Sequence, residues 1–288
     1  MRLPHEQLQS VNRIVVCTLD SLYSAVGIHE LVKAFQGRVV CFVSSDRYKG
    51  PYGSFWRQFV LNWRRSGFSF VHYLSCHFVY FYTFLLLTDT LNVVFRRSKK
   101  VYSVRQLCKT FNIPRIHTAH PNSKAVVEQI RDFQPDLIIT AYFDRIIRQE
   151  LINMPTFGVI NVHTSLLPDF KGPFPSLWPI IKKSFKIGVS VHYINSERLD
   201  EGPIILQRAC PWIVGESVLG TDCRLFRAGI ELLGEAILQI ENGTARSLTP
   251  ENKGRSQYFS FPTRADLKEL KRHHIPLVTL RDFVRQFW

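Results

Sequence analysis

The sequence predicts an α/β fold: a mostly parallel sheet flanked by helices, with an aromatic helical insertion. Three observations predict it. Short runs rich in Val and Ile alternate with helical stretches. The first strand–helix–strand spacing is that of a right-handed crossover unit. One tract, residues 46–100, breaks the alternation and is crowded with Phe, Tyr and Trp.

Arg13 to Leu19 (RIVVCTL) reads as a buried strand. A helix follows over about Leu22 to Ala34, Gly37 ends it, and Arg38 to Val43 (RVVCFV) is a second strand. Gly50-Pro51-Tyr52-Gly53 spells a turn. Phe68 to Leu87 then carries no charge and lies between Arg64-Arg65 and Arg96-Arg97. Its length suits a membrane span of about 20 residues. However, Ser69, His72, Ser75, His77 and Thr83 interrupt it, and a span would part the first two strands from the rest of the sheet. The expectation is therefore a helix packed on the domain. A membrane-surface contact through residues 64–100, or an oligomer interface there, is the alternative.

The alternation resumes with a helix at Val104 to Phe111 and a short strand at Arg115 to His117. A serine-capped amphipathic helix follows at Ser123 to Phe133, then a buried strand at Leu137 to Tyr142. Gly158 to His163, Val189 to Tyr193 and Ile204 to Ala209 read as further strands. Thr221 to Asn242 is a long helix ended by Gly243. Residues 1–243 thus read as one domain. Residues 244–288 form a short basic extension with a helix at Ala265 to Arg272.

A hydrophobic content of 45% excludes a disordered chain. The net charge is +14, and residues 46–118 hold +10 of it, twelve bases against Asp46 and Asp89. Such a tract is either a solvated basic face or a surface for anions. The six cysteines form no C-x-x-C pair and sit mostly in apolar runs, as buried reduced thiols do in a cytoplasmic protein. Met1 to Glu6 lacks the apolar core of a signal peptide.

Three polar residues stand at strand ends or in loops after strands. Asn161 and His163 alternate with Ile160 and Val162, so they share one face. Ligands of parallel sheets bind beyond the carboxyl ends of the strands, where this pair lies. Asp200, in a loop between two strands, can reach the same cleft. An amide and an imidazole can donate to a developing oxyanion, and an imidazole held by a carboxylate can shuttle a proton between nitrogens. Taken alone, an Asn-x-His on a strand is more often a satisfied structural pair than a site. His163, His192 and Asp200 could also be drawn as a metal site, but no metal-ligand spacing supports one. His117, His120, His273 and His274 read as surface or loop histidines.

The longer string weighs more. Gly158-Val-Ile-Asn161-Val-His163-Thr-Ser165-Leu166-Leu167-Pro168-Asp-Phe-Lys171-Gly172-Pro173 resembles the signature of the folate-dependent formyltransferases. Gly188-Val-Ser-Val-His192 and Leu199-Asp200-Glu201-Gly202-Pro203 resemble that family's next strand and aspartate loop, in the right order. The resemblance is strong from about Pro135 to Gln207 and weaker from Arg13 to Asn242. It implies a Rossmann-like formyltransferase fold and transfer of formyl from 10-formyltetrahydrofolate to an amine. It assigns catalysis to Asn161, His163 and Asp200. It places the folate against Ala141, Tyr142, Phe143 and Ile146, with Ser165, Leu166, Leu167 and Pro168 shaping the cleft.

Departures from the family's branches narrow the acceptor. The turn after the first strand, Val16-Cys17-Thr18-Leu19-Asp20-Ser21, has no phosphate-loop glycine, against a glycinamide ribonucleotide acceptor. The tail is too short for the C-terminal domain of a methionyl-tRNA formyltransferase, which makes nucleic acid a disfavoured partner. No N-terminal regulatory domain of the formyltetrahydrofolate hydrolase kind fits before Arg13. The remaining expectation is a small-molecule amine, with the basic tract favouring an anionic one. A hydrolase, a methionyl-tRNA formyltransferase-like enzyme and a non-catalytic folate-binding protein are the alternatives.

Overall fold

The computed structural model describes residues 10–49, 53–96, 99, 101–246 and 257–287. Seven strands are present among them: β1 (Ile14–Thr18), β2 (Val39–Ser45), β3 (Arg115–Thr118), β4 (Leu137–Ala141), β5 (Val159–His163), β6 (Ile187–Ile194) and β7 (Ile204–Cys210). They form one sheet in the order β3-β2-β1-β4-β5-β6-β7. The first five run parallel, β6 runs against them, and β7 pairs antiparallel with β6 and so returns to the common direction. The predicted α/β class and mostly parallel sheet are those observed.

The helices are α1 (Leu22–Ala25), α2 (Ile28–Ala34), α3 (Phe55–Ser66), α4 (Phe68–Ser75), α5 (Phe81–Val94), α6 (Val104–Thr110) and α7 (Lys124–Asp132). They continue as α8 (Gln149–Ile152), α9 (Leu177–Ile181), α10 (Val218–Glu241), α11 (Arg264–Arg272) and α12 (Leu280–Phe287). One π turn, Cys76–Tyr80, joins α4 to α5 without a break.

β1 and β4 are apolar and wholly buried because both sheet faces are covered, as a parallel sheet requires. Val16, Ile139, Ile160 and Val162 turn to a core that includes α2 and α10. Val15, Cys17, Ile138 and Val159 turn to a second core with Val127 and Ile130 of α7. All six cysteines are free thiols, and burial pushes the Cys41 thiol up to about 12, far from reactivity.

Three local readings need correction. The single helix expected over Leu22 to Ala34 is two, parted at Val26-Gly27. α10 presses against the chain there, and a Cβ on Gly27 would lie 2.8 Å from Ile230 and 2.9 Å from Phe226. Ser123 occupies the cap position of α7, but its hydroxyl makes no capping bond. The tail holds a second helix, α12, beyond the expected one. Of the turn read at Gly50-Pro51-Tyr52-Gly53, only Gly53 lies within the described residues.

The insertion is a helical hairpin. α3 ends at Gly67, whose φ of +83° lets the chain reverse into α4. The continuous helix Phe68–Val94 is long and apolar enough to cross a membrane by length and composition. One side of it is nevertheless built into the domain. Phe70, Tyr73, His77, Phe81 and Leu85 are buried, and Phe84 stacks on Phe283 of α12 with ring centroids 4.4 Å apart. The Tyr73 hydroxyl donates to Asp222 of α10, and so does the hydroxyl of Ser176.

Burial raises the Asp222 carboxyl from the ordinary 3.8 to about 7, although both hydroxyl donors pull it down. Between those two values the native state holds a proton that the unfolded chain has released. Stability therefore falls as pH rises from about 4 to about 7, by an amount on the order of 4 kcal/mol. Asp222→Asn should remove this slope. Urea unfolding of both proteins at several pH values checks it, and parallel pH profiles would contradict the account.

Candidate active site

The register of three strands creates the site. Thr140 of β4 pairs with Asn161 of β5, and Asn161 pairs with His192 of β6. Their side chains form a row on one face of the sheet. Thr140 Oγ1 donates to Asn161 Oδ1 at 2.6 Å. His192 Nδ1 lies 2.9 Å from the Tyr193 carbonyl, which can only accept, so Nδ1 carries the hydrogen. Burial lowers His192 to about 4, outweighing the Asp200 charge that raises it. Its Nε2 is therefore a bare acceptor at neutral pH, and Asn161 Nδ2 donates to it at 3.0 Å. Both ends of the amide are thus fixed, with one Nδ2–H left for the cleft.

His163 lies two residues further along the same face. Its Nε2 donates to the Phe170 carbonyl at 3.2 Å, and its Nδ1 faces Asp200 Oδ1 at 3.4 Å. Asp200 has φ of +55° in the turn between β6 and β7. Its Oδ2 accepts from the Gly172 N–H at 2.9 Å, and its Oδ1 is 3.8 Å from His192 Nε2. Two glycines permit this approach. A Cβ on Gly202 would lie 1.7 Å from the Tyr193 carbonyl oxygen, and one on Gly172 2.0 Å from that of Phe259.

Asn161, His163 and Asp200 open on a cleft of about 480 Å³. Tyr142, Phe143, Ile146 and Leu199 form an apolar wall beside them. Arg47 together with Gln58, Leu61, Asn62 and Arg65 of α3 forms another, and Tyr258 and Phe261 of the tail a third. The Arg65 guanidinium lies 4.0 Å from the Phe261 ring centre and donates to Asn62 Oδ1. Arg47 lies 4.3 Å from the Phe78 ring centre and donates to Gln58 at 3.2 Å. Both cations are held in place by aromatic faces and amides.

Of the residues singled out for the folate, Tyr142, Phe143 and Ile146 face the cleft, while Ala141 is buried at the end of β4. Ser165, Leu166, Leu167 and Pro168 stand behind it. The Ser165 hydroxyl donates to the Asp169 and Phe170 carbonyls, at 3.1 and 3.3 Å. The Leu167 N–H donates to Ser190 Oγ at 3.0 Å, and Leu166 fills the space over Gly188. These bonds fix the loop bearing the Phe170 carbonyl that holds His163. Among the described residues no group of three or more His, Cys, Asp or Glu is placed to hold a metal ion.

Sequence reasoning passed over Thr140, Arg47, Asn62, Arg65 and the positioning part of His192. One signal was available for Asp222, a carboxylate in the apolar stripe Val218, Leu219, Leu225 and Phe226 of α10.

A mostly parallel α/β sheet with an amide and an imidazole in the carboxyl-terminal part of β5, faced by a carboxylate from the β6–β7 turn, marks a Rossmann-like enzyme. The particular family follows from comparison: the chain belongs to the formyl transferase family, whose profile matches residues 91–237. The methionyl-tRNA formyltransferase of Trichlorobacter lovleyi is 31% identical over 182 residues, 63% of this chain and 56% of that protein. The chain spans about half the length of the curated relatives it matches. Among solved structures, a sugar N-formyltransferase from Shewanella sp. superposes with a TM-score of 0.54 at 19% identity, over 95% of this chain and 87% of the other. An N-formyltransferase from Helicobacter canadensis, in complex with folinic acid and dTDP-3-aminofucose, gives 0.54 at 18% identity, over 88% and 71%. At such identities the likeness is one of fold.

The hydrogen-bond row makes His192 neutral and Nδ1-protonated. In an NMR titration its ring should not gain a proton until near pH 4. A midpoint above 6 would refute the assigned tautomer and with it the orientation of Asn161.

Proposed function

We propose that the protein transfers the formyl group of 10-formyltetrahydrofolate to the amine of a small, anionic acceptor. The observation that carries the proposal is the doubly held Asn161 amide, which presents an N–H to the cleft next to the His163–Asp200 pair. The apolar wall of Tyr142, Phe143, Ile146 and Leu199 fits a folate ring system, and the Helicobacter relative holds folinic acid. The folate supplies an electrophilic formyl carbon.

The protein's residues do the rest. Asn161 donates to the oxygen on which negative charge develops as the amine attacks. Its orientation is set beforehand by Thr140 and His192, and such a donor is worth about 3 kcal/mol. The new carbon–nitrogen bond forms as the donor's breaks, and one proton passes from the entering to the leaving nitrogen. His163 carries it on Nδ1, while the Phe170 carbonyl anchors Nε2 and Asp200 holds the ring and its charge. A formyl group is unhindered, so no Ser or Cys nucleophile is required. Arg47 and Arg65, fixed where α3 walls the cleft, suit a phosphate or carboxylate on the acceptor.

Purified protein given 10-formyltetrahydrofolate and a panel of anionic amines should form tetrahydrofolate and formylated amine one for one. Tetrahydrofolate formed equally without any amine would indicate hydrolysis instead. His163→Ala and Asp200→Ala should each lose about 10²–10⁴ in rate while remaining folded. Asn161→Asp should lose as much, because it sets a negative charge against the oxyanion. Arg65→Ala should raise the acceptor KM roughly tenfold and leave that of the donor. Near-normal turnover in the His163 and Asp200 variants would sink the mechanism.

A further inference from the structure

The insertion has a second face that the cleft does not use. On α3, residues 58, 61, 62 and 65 line the cleft, as their three- and four-residue spacing requires. Trp56, Val60 and Trp63 lie on the opposite side, and Arg57 and Arg64, seven apart, run between the two. Trp56 is 70% exposed and Trp63 50%, far above what a large aromatic normally shows. The helix Phe68–Val94 adds a second stripe, Val79, Leu86 and Val93 at two-turn spacing, with Val94 beside the last. Leu86 is 71% exposed and Val93 80%. Phe55 and Phe59 of α3 bridge the two stripes, since their rings neighbour those of Trp56 and Trp63 and they share a surface recess with Val79.

Charge accompanies this apolar face. α3 has no acidic residue, and Asp89, the one acid between residues 53 and 96, is taken up by Lys99. The surface is therefore aromatic, aliphatic and cationic. A tryptophan's apolar body and N–H suit the boundary between headgroups and acyl chains, and arginines beside it suit lipid phosphates.

We infer that this face of the insertion docks on an anionic lipid bilayer. The buried side of the helix Phe68–Val94 stays in the domain through Tyr73, His77 and Phe81, so the insertion lies on the membrane and does not cross it. Trp56 and Trp63 enter the headgroup layer, and Arg57 and Arg64 meet phosphates. The cleft edge formed by Leu61 and Arg65 borders that basic row, so docking turns the cleft's acceptor end towards the lipid headgroups.

Flotation of the whole protein with vesicles tests this independently of turnover. Vesicles of phosphatidylcholine with phosphatidylglycerol should carry the protein up the gradient at low salt. Pure phosphatidylcholine should carry about tenfold less, and high salt should weaken binding similarly. Trp56→Ser with Trp63→Ser should abolish flotation, and Arg57→Glu with Arg64→Glu should abolish it on anionic vesicles. These side chains are exposed and outside the cleft, so circular dichroism and thermal unfolding should match the parent. No flotation with anionic vesicles at low salt overturns the inference, as does flotation unchanged in both double variants. Light scattering that shows a dimer dissolved by the tryptophan substitutions, without vesicle binding, overturns it in favour of a second copy.

Discussion

Most of the site depends on one amide. Asn161 is the middle member of a hydrogen-bonded row that crosses three strands, and each neighbour comes from a different register. Thr140 reaches it along a parallel pairing and His192 across an antiparallel one. The change of strand direction between β5 and β6 is therefore what puts an imidazole beside the amide. A histidine in that spot would ordinarily be an ambiguous partner. Burial settles its charge and the Tyr193 carbonyl its tautomer, so only one orientation of Asn161 satisfies every donor and acceptor.

The helical hairpin is tied to this arrangement from outside. Tyr73 and Ser176 both donate to Asp222, so the hairpin, the segment before α9 and the long helix α10 converge on one buried carboxyl. α3 then stands in fixed relation to the cleft and brings Arg65 and Asn62 to it. An element that interrupts the strand–helix alternation thus supplies a wall of the site, which loops and insertions on a rigid scaffold commonly do.

The strands were legible because parallel sheets buried on both faces leave plain Val/Ile runs, and all seven fall within about two residues of their expected positions. Asn161 and His163 were legible because strand alternation fixes which side chains share a face. Their partners were not. Thr140 and His192 act through register, which is a relation between segments that no single segment encodes. Arg47 and Arg65 were visible as charge, but nothing local separates a cation over an aromatic ring from one in solvent. The break between α1 and α2 was hidden for a similar reason, since it answers to Phe226 and Ile230 some two hundred residues away.

The tail has a consequence for how the protein is divided. The Phe259 N–H donates to the Lys171 carbonyl at 2.8 Å, and Tyr258 and Phe261 complete the cleft. Similarity to the family profile runs only over residues 91–237. A fragment cut at those limits keeps Asn161, His163 and Asp200. It lacks β1 and β2, both arginines of the α3 wall and the aromatic wall of the tail. The segment that matches the family profile holds Asn161, His163, Asp200 and the apolar wall of Tyr142, Phe143, Ile146 and Leu199, while the other two walls of the cleft come from the chain on either side.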